Sequence, residues 1–144
     1  MTDARPFPAT DTAFGRRVHD RLRDERVIWL TVVAPSGTPQ PNPVWFARVG
    51  DDVVIYNDRH ALRLDWLDDR PRVALHLNSD ARGDDVIVLT GRAEFRDDIP
   101  PAHESPEYVA KYGPDMVRVS GSAEAFSHQY SAAAVVRVDH VRGY

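Results

Sequence analysis

The 144-residue chain contains no cysteine. That excludes a disulfide framework, a thiolate nucleophile and any cysteine-ligated zinc. Lysine is scarce too, with Lys111 standing alone among 18 basic residues. No Lys/Arg block occurs and the formal net charge is −4, which argues against nucleic acid, whose affinity comes from clustered cations. The apolar runs fall far short of the roughly 20 residues a membrane helix needs. Residues 1–8 hold no apolar core of signal-peptide length, so the expected location is the cytoplasm, off the membrane. Phosphate-binding, dinucleotide-binding, serine-hydrolase and zinc-protease signatures are all missing. None of the six histidines has a partner at metal-ligand spacing, and no acid–base pair stands out. No metal site and no catalytic side chain are therefore assigned.

What is present describes a folded domain: 42% of residues are hydrophobic and 28% charged. Residues 1–10, with two prolines and no periodicity, read as a flexible N-terminal arm. Residues 11–144 read as a single domain. A helix capped by Asp11 or Thr12 presents Phe14, Val18 and Leu22 on one stripe. Three apolar runs follow, at 27–33, 44–49 and 53–56, separated by short turns that join antiparallel strands directly. The first is apolar on both faces, predicting cover on each side.

A helix of about three turns is expected from His60 to Asp69, stopped by Pro71. Strands follow at 73–78 and 87–95. Ser105 with Pro106 starts another helix, which Gly113-Pro114 is expected to end. Phe126 and Tyr130 pair on a short helix from about Ser122, and residues 134–141 form a final strand. Six strands with helices around them predict a mainly β protein with peripheral helices, a small closed or half-open barrel.

Two segments carry chemistry. The chain leaves a strand at Tyr56-Asn57 and turns through Asp58-Arg59-His60 into the helix holding Arg63. A helix start offers free N–H groups to an anion. Arg59, His60 and Arg63 could surround a phosphate or carboxylate there, with Asn57 as a neutral donor. Pairing of the arginines with surface carboxylates explains the same residues. In the second segment, residues 39–46, prolines keep the chain extended and suit a sheet edge. Val44 leads into Trp45 and Phe46, which point to opposite faces, one filling the barrel and the other meeting a ligand or second subunit. Core or dimer packing of both aromatics remains open.

The order of Leu30-Thr31-Val32, Gly37-x-Pro39, Pro43-Val44-Trp45-Phe46 and Ile55-Tyr56-Asn57 resembles the pyridoxamine 5′-phosphate oxidase-like split β-barrel family. The likeness extends over Phe14–Tyr144 and is strongest to its small class using the deazaflavin coenzyme F-420. Pro71-Arg72-Val73-Ala74-Leu75-His76-Leu77, Arg82-Gly83-Asp84, Tyr108-x-x-Lys111-Tyr112 and Arg142-Gly143-Tyr144 complete it.

The resemblance implies a six-stranded antiparallel split barrel of the FMN-binding type and a homodimer with cofactor sites shared across the interface. It implies that Tyr56, Asn57 and the following turn hold the cofactor phosphate, with Arg63 completing the contact. Val44-Trp45-Phe46 would run beside the ring, and His76 and Asn78 would approach from the partner subunit. Relatives often carry a basic-x-basic-Asn pattern where this chain has Arg63-Leu64-Asp65-Trp66, so Asp65 and Trp66 depart from it. The implied activity is hydride transfer from reduced coenzyme F-420 to a small organic acceptor, with the chemistry supplied by the cofactor. The alternatives are an FMN-dependent oxidoreductase, or a non-catalytic barrel dimer holding a flavin, haem (His76 or His60 as axial ligand) or metabolite.

Overall fold

The computed structural model describes residues 5–144, apart from the side chains of residues 62–64. Helix α1 (Ala13–Asp24) starts where Thr12 Oγ1 accepts the Gly15 N–H at 2.9 Å, and it buries Val18 and Leu22. Phe7 lies beneath the Arg48 guanidinium, 3.7 Å from ring centroid to Cζ.

Seven strands form one antiparallel sheet: β1 (Ile28–Val33), β2 (Pro39–Val44), β3 (Ala47–Val49), β4 (Asp52–Asn57), β5 (Arg72–His76), β6 (Ile87–Phe95) and β7 (Ala132–Gly143). Their order is β2-β1-β5-β6-β7-β4-β3. The first and last of these are joined by Trp45 and Phe46 alone. Two intervening residues span only about 10 Å between strand ends, so the sheet must curl until its edges nearly meet. This is the split barrel, with its seam at Trp45-Phe46.

Seven strands replace the expected six because the proline-rich stretch pairs fully with β1, from Ile28↔Val44 to Val33↔Pro39. Its Pro39, Pro41 and Pro43 are exposed at the edge, where a missing N–H costs no ladder bond. The run at 44–49 is thereby split in two.

Alternation along β1 places Ile28, Leu30 and Val32 in the barrel, with Phe46, Ile55, Leu75 and Leu89. Its other face, with Trp29, Thr31 and Val33, is half-buried within the chain. The strand enclosed on both sides is β4, whose residues from Val53 to Asn57 are all buried. Its outer face packs, with Ala133 and Val135 of β7, under α2 (Pro106–Ser120) and α3 (Ala123–Gln129).

Helix α2 begins at Ser105-Pro106 as expected but continues through Pro114. Pro114 deprives the Ala110 carbonyl of a partner, yet both residues are exposed and water can satisfy that group. Tyr108, Tyr112 and Met116 at four-residue spacing are all buried and carry the helix past the proline. Gly121, at φ +88°, ends it. The expected helix at 60–69 is a 3-10 helix, Leu62–Leu67, shorter than three turns. No helix among the described residues is long and apolar enough to cross a membrane.

Candidate functional site

The seam positions the site. Phe46 turns into the barrel and is fully buried, while Trp45 turns outward against α2 and α3. Trp45 stacks on Tyr112 (centroids 4.7 Å apart, 4° between planes) and on Phe126 (5.7 Å, 14°). Phe126 in turn stacks on Tyr130 at 4.5 Å, and Tyr56 meets the edge of Tyr108 at 4.9 Å. Beside Trp45, Tyr56, Tyr108, Phe126 and Tyr130 lies a cavity of about 400 Å³, bordered also by Val44, Asn57, Asp58 and Ala61. Its size and aromatic walls are those of a small-molecule pocket.

The polar groups around it are mostly committed. The Tyr56 hydroxyl donates to the Pro100 carbonyl at 2.6 Å. The Asn57 amide donates to the carbonyls of Ile55 (3.1 Å) and Ala132 (3.2 Å), so it ties β4 to β7. In the next turn the Asp58 carboxylate accepts the His60 N–H at 2.9 Å, and this bond holds its pKa below the usual carboxylate range. The Ala61 N–H donates to the Asp58 carbonyl, and the Arg59 N–H to Gln129. The N–H groups of Arg59, His60 and Ala61 thus have internal partners. An incoming anion there would meet the Arg59 side chain, which reaches the His128 carbonyl (3.0 Å) and the His60 ring (3.2 Å).

Of the residues read from the sequence, Val44, Trp45, Tyr56 and Asn57 come together on this cavity. Arg59 and His60 are exposed on the turn between two of its bordering residues, Asp58 and Ala61. Phe46 is core, and the Arg63 side chain lies outside the described residues. His76 and Asn78 line a separate cleft of about 270 Å³. There His76 stacks on Trp29 at 6.2 Å, and Asn78 Oδ1 accepts the Trp29 indole N–H at 3.0 Å. Asp65 is exposed and Trp66 packs against the barrel core, so this aromatic belongs to the fold. Tyr108, Phe126 and Tyr130 border the cavity and were not read as site residues. The i, i+4 spacing of Phe126 and Tyr130 is visible in the sequence, but the face they meet depends on how the helices dock.

A larger cleft, about 610 Å³, lies between α1, β3 and α2, and Lys111 lines it. The Lys111 amine donates to the carbonyls of Leu22 (2.9 Å) and Glu25 (3.0 Å) at the end of α1, over the Phe46 ring. That anchors α1 to α2 and complements the helix dipole. Burial, followed by the nearby Arg26 charge, pushes the Lys111 amine down to about 8 from its ordinary 10.5. The folded state therefore carries a penalty for the charged amine below pH 8, relieved as pH rises to 10.5, while the neutral amine keeps donors for both carbonyls. Wild type should gain on Lys111→Met across that window. Partial water contact holds the gain to about 2 kcal/mol, read from urea midpoints of both proteins at each pH.

The family profile of pyridoxamine 5′-phosphate oxidase matches residues 14–143, nearly the whole chain. The chain belongs to this family. Solved structures share the fold at low identity. An F420 reductase is 18% identical with a TM-score of 0.58, the match covering 86% of this chain and 94% of that one. The haem storage protein HutZ of Vibrio cholerae is 11% identical with a TM-score of 0.60, covering 92% and 95%. General stress protein 26 of Bacillus anthracis is 16% identical with a TM-score of 0.66, covering 88% and 89%. No curated protein sequence matches this family member.

Proposed function

We propose that the cavity behind Trp45 seats the ring of a flavin-type cofactor, coenzyme F-420 in preference to FMN. The protein is then a cytoplasmic, homodimeric reductase acting on a small organic acceptor. The observation that carries this reading is the ring-walled cavity at the barrel seam, opening beside a cationic turn in a chain of this family. An F420 reductase has the same fold.

The walls fit a planar ring: Trp45, Tyr56, Phe126 and Tyr130 supply aromatic surface and exclude water. The turn fits a phosphate less completely, because the N–H groups of Arg59, His60 and Ala61 are occupied and the positive charge would come from Arg59 and Arg63, with the His60 ring beside them. When bound, the reduced deazaflavin would supply a hydride. This chain's part is to orient the ring and keep the site dry, and no side chain is assigned a proton transfer. The second subunit would cover the half-buried outer ladder of Trp29, Ala74, His76 and Val88, bringing His76 and Asn78 to its partner's site.

Equilibrium binding of coenzyme F-420 and FMN, followed by fluorescence, tests the reading. The expected result is micromolar or tighter F-420 binding, weaker FMN binding, and a loss of at least about tenfold in Arg63→Ala. Preference for FMN would move the protein to the FMN-dependent branch. Unchanged affinity in Arg63→Ala would remove the phosphate assignment. The occupied turn favours one other reading, a non-catalytic barrel holding haem or a metabolite, and the haem storage protein HutZ has this fold. His76 Nδ1 lies 3.1 Å from the Leu77 carbonyl, leaving Nε2 as the nitrogen for an iron. Haem titration giving a Soret shift lost in His76→Ala would support that reading.

A further inference from the structure

Arg72, Arg92 and Arg137 stand far apart in the sequence, and only the sheet brings them together. Arg72 of β5 lies directly opposite Arg92 of β6, which lies directly opposite Arg137 of β7. Their neighbours Val73, Ala93, Val136 and Val138 point into the barrel, so the three arginines leave the sheet by its outer face, where they are exposed. Asp52 of β4 continues the row beside Arg137. Among the described residues none of the three side chains has a hydrogen bond or an ion pair, even with Asp52. Elsewhere the chain pairs its arginines readily: Arg17 and Arg21 share Asp85, Arg26 and Arg118 share Asp115, and Arg96 holds Glu94 and Asp98. Like charges directly opposite on one face destabilise a sheet, and this row holds two such pairs in succession. A chain of formal net charge −4 thus keeps uncompensated guanidinium groups side by side.

We propose that this row is a binding site for a linear polyphosphate, free or as the tail of a nucleotide. Neighbouring strands are about 4.8 Å apart, so the row extends about 10 Å from Arg72 to Arg137. A single phosphate between two of the arginines leaves the third unpaired. Successive phosphates in a chain repeat more closely than the strands, and each presents the oxygen pair that a guanidinium fork grips. Carboxylates on one face of an extended peptide repeat at about 6.7 Å, too widely for adjacent strands. Asp52 closes the row at β4, where its carboxylate repels an anion. The site is separate from the ring-walled cavity, because Asp52 and Asn57 are opposite ends of β4, about 17 Å apart. Along β5 the row begins two residues beyond Ala74, at the edge of the ladder given to a second subunit. It therefore stands or falls independently of the cofactor reading.

Arg92→Gln, at the middle of the row, tests the site, with exposed Arg16→Gln on α1 as the control. Wild type and both variants are melted without ligand, then titrated by calorimetry with tripolyphosphate, ATP, orthophosphate and a hexaglutamate peptide. The expected result is micromolar binding of tripolyphosphate and ATP, with orthophosphate weaker by about tenfold or more. Arg92→Gln should lose about tenfold or more in affinity for both chains, and Arg16→Gln should lose none. Without ligand, Arg92→Gln should melt at the wild-type temperature or higher, because two like-charge contacts are gone. Equal affinity for ATP and tripolyphosphate would support the free chain as ligand, and tighter ATP the nucleotide tail. Equal losses in the two variants would reduce the row to diffuse surface charge and overturn the proposal. So would a lower melting temperature in Arg92→Gln, which would give that side chain a partner within the protein. Hexaglutamate binding as tightly as tripolyphosphate, ATP binding that survives Arg92→Gln, or no micromolar binding of either chain would overturn it as well.

Discussion

Gly91→Ala is expected to destabilise the protein by at least about 3 kcal/mol. A Cβ at this position would lie 2.1 Å from the Arg137 carbonyl oxygen, 2.9 Å from its carbon and 3.1 Å from Val138 Cα. All three atoms are backbone, so no rotamer change relieves the clash. Gly91 sits where the β6–β7 pairing shifts register, with Thr90 opposite His140 and Gly91 opposite Val138. A bulge brings one strand's backbone against the other, and glycine permits that approach. The strain would fall on the longest ladder in the sheet, which leads into the strand beside β4. Urea denaturation of Gly91→Ala against Gly83→Ala gives the measurement. Gly83 has φ +81° but open space around it, so its substitution should cost only about 1 kcal/mol. Equal losses in the two variants would show that the register shift is misplaced.

The barrel was legible because its strands are written in alternation and its turns in Gly, Pro and Asp. The seam was not. Val44-Trp45-Phe46-Ala47 is an unbroken apolar run, so pattern alone cannot show that the ladder stops at Val44 and restarts at Ala47 at the opposite edge. Pro114 misled for a local reason, since it ends a helix only where the lost bond has no other outlet. The candidate site divided in the same way. Val44, Trp45, Tyr56 and Asn57 are strand ends and could be read along the chain, whereas Tyr108, Phe126 and Tyr130 reach the cavity only after α2 and α3 dock on β4. The turn's electrostatics depend on local bonds that the sequence does not show, among them Asp58 accepting the His60 N–H.

Tyr112→Phe should cost about 2 kcal/mol, because the oxygen it removes joins three elements. The Tyr112 hydroxyl accepts the Phe46 N–H at 3.0 Å and donates to the Arg26 carbonyl at 2.6 Å. Burial pushes this phenol up to about 12, so it remains a protonated donor. Phe46 lies in the two-residue gap between β2 and β3, where no ladder serves its N–H, and the residue is fully buried. Losing the hydroxyl strands that donor, while the carbonyl of exposed Arg26 regains water at little cost. The ring survives the substitution, so its stacking on Trp45 is retained and the stability loss reports the seam bond alone. Trp45, adjacent to the unanchored Phe46, should then hold its position less well, and ring binding in the cavity should weaken about threefold or more. Tyr108→Phe removes the same atom one helical turn earlier and should leave stability unchanged or higher, because its oxygen has no partner to lose. Opposite stability outcomes, measured side by side in urea, are what two tyrosines with different hydrogen-bond duties require. If both variants lost stability equally, the seam bond would not be what separates the two hydroxyls.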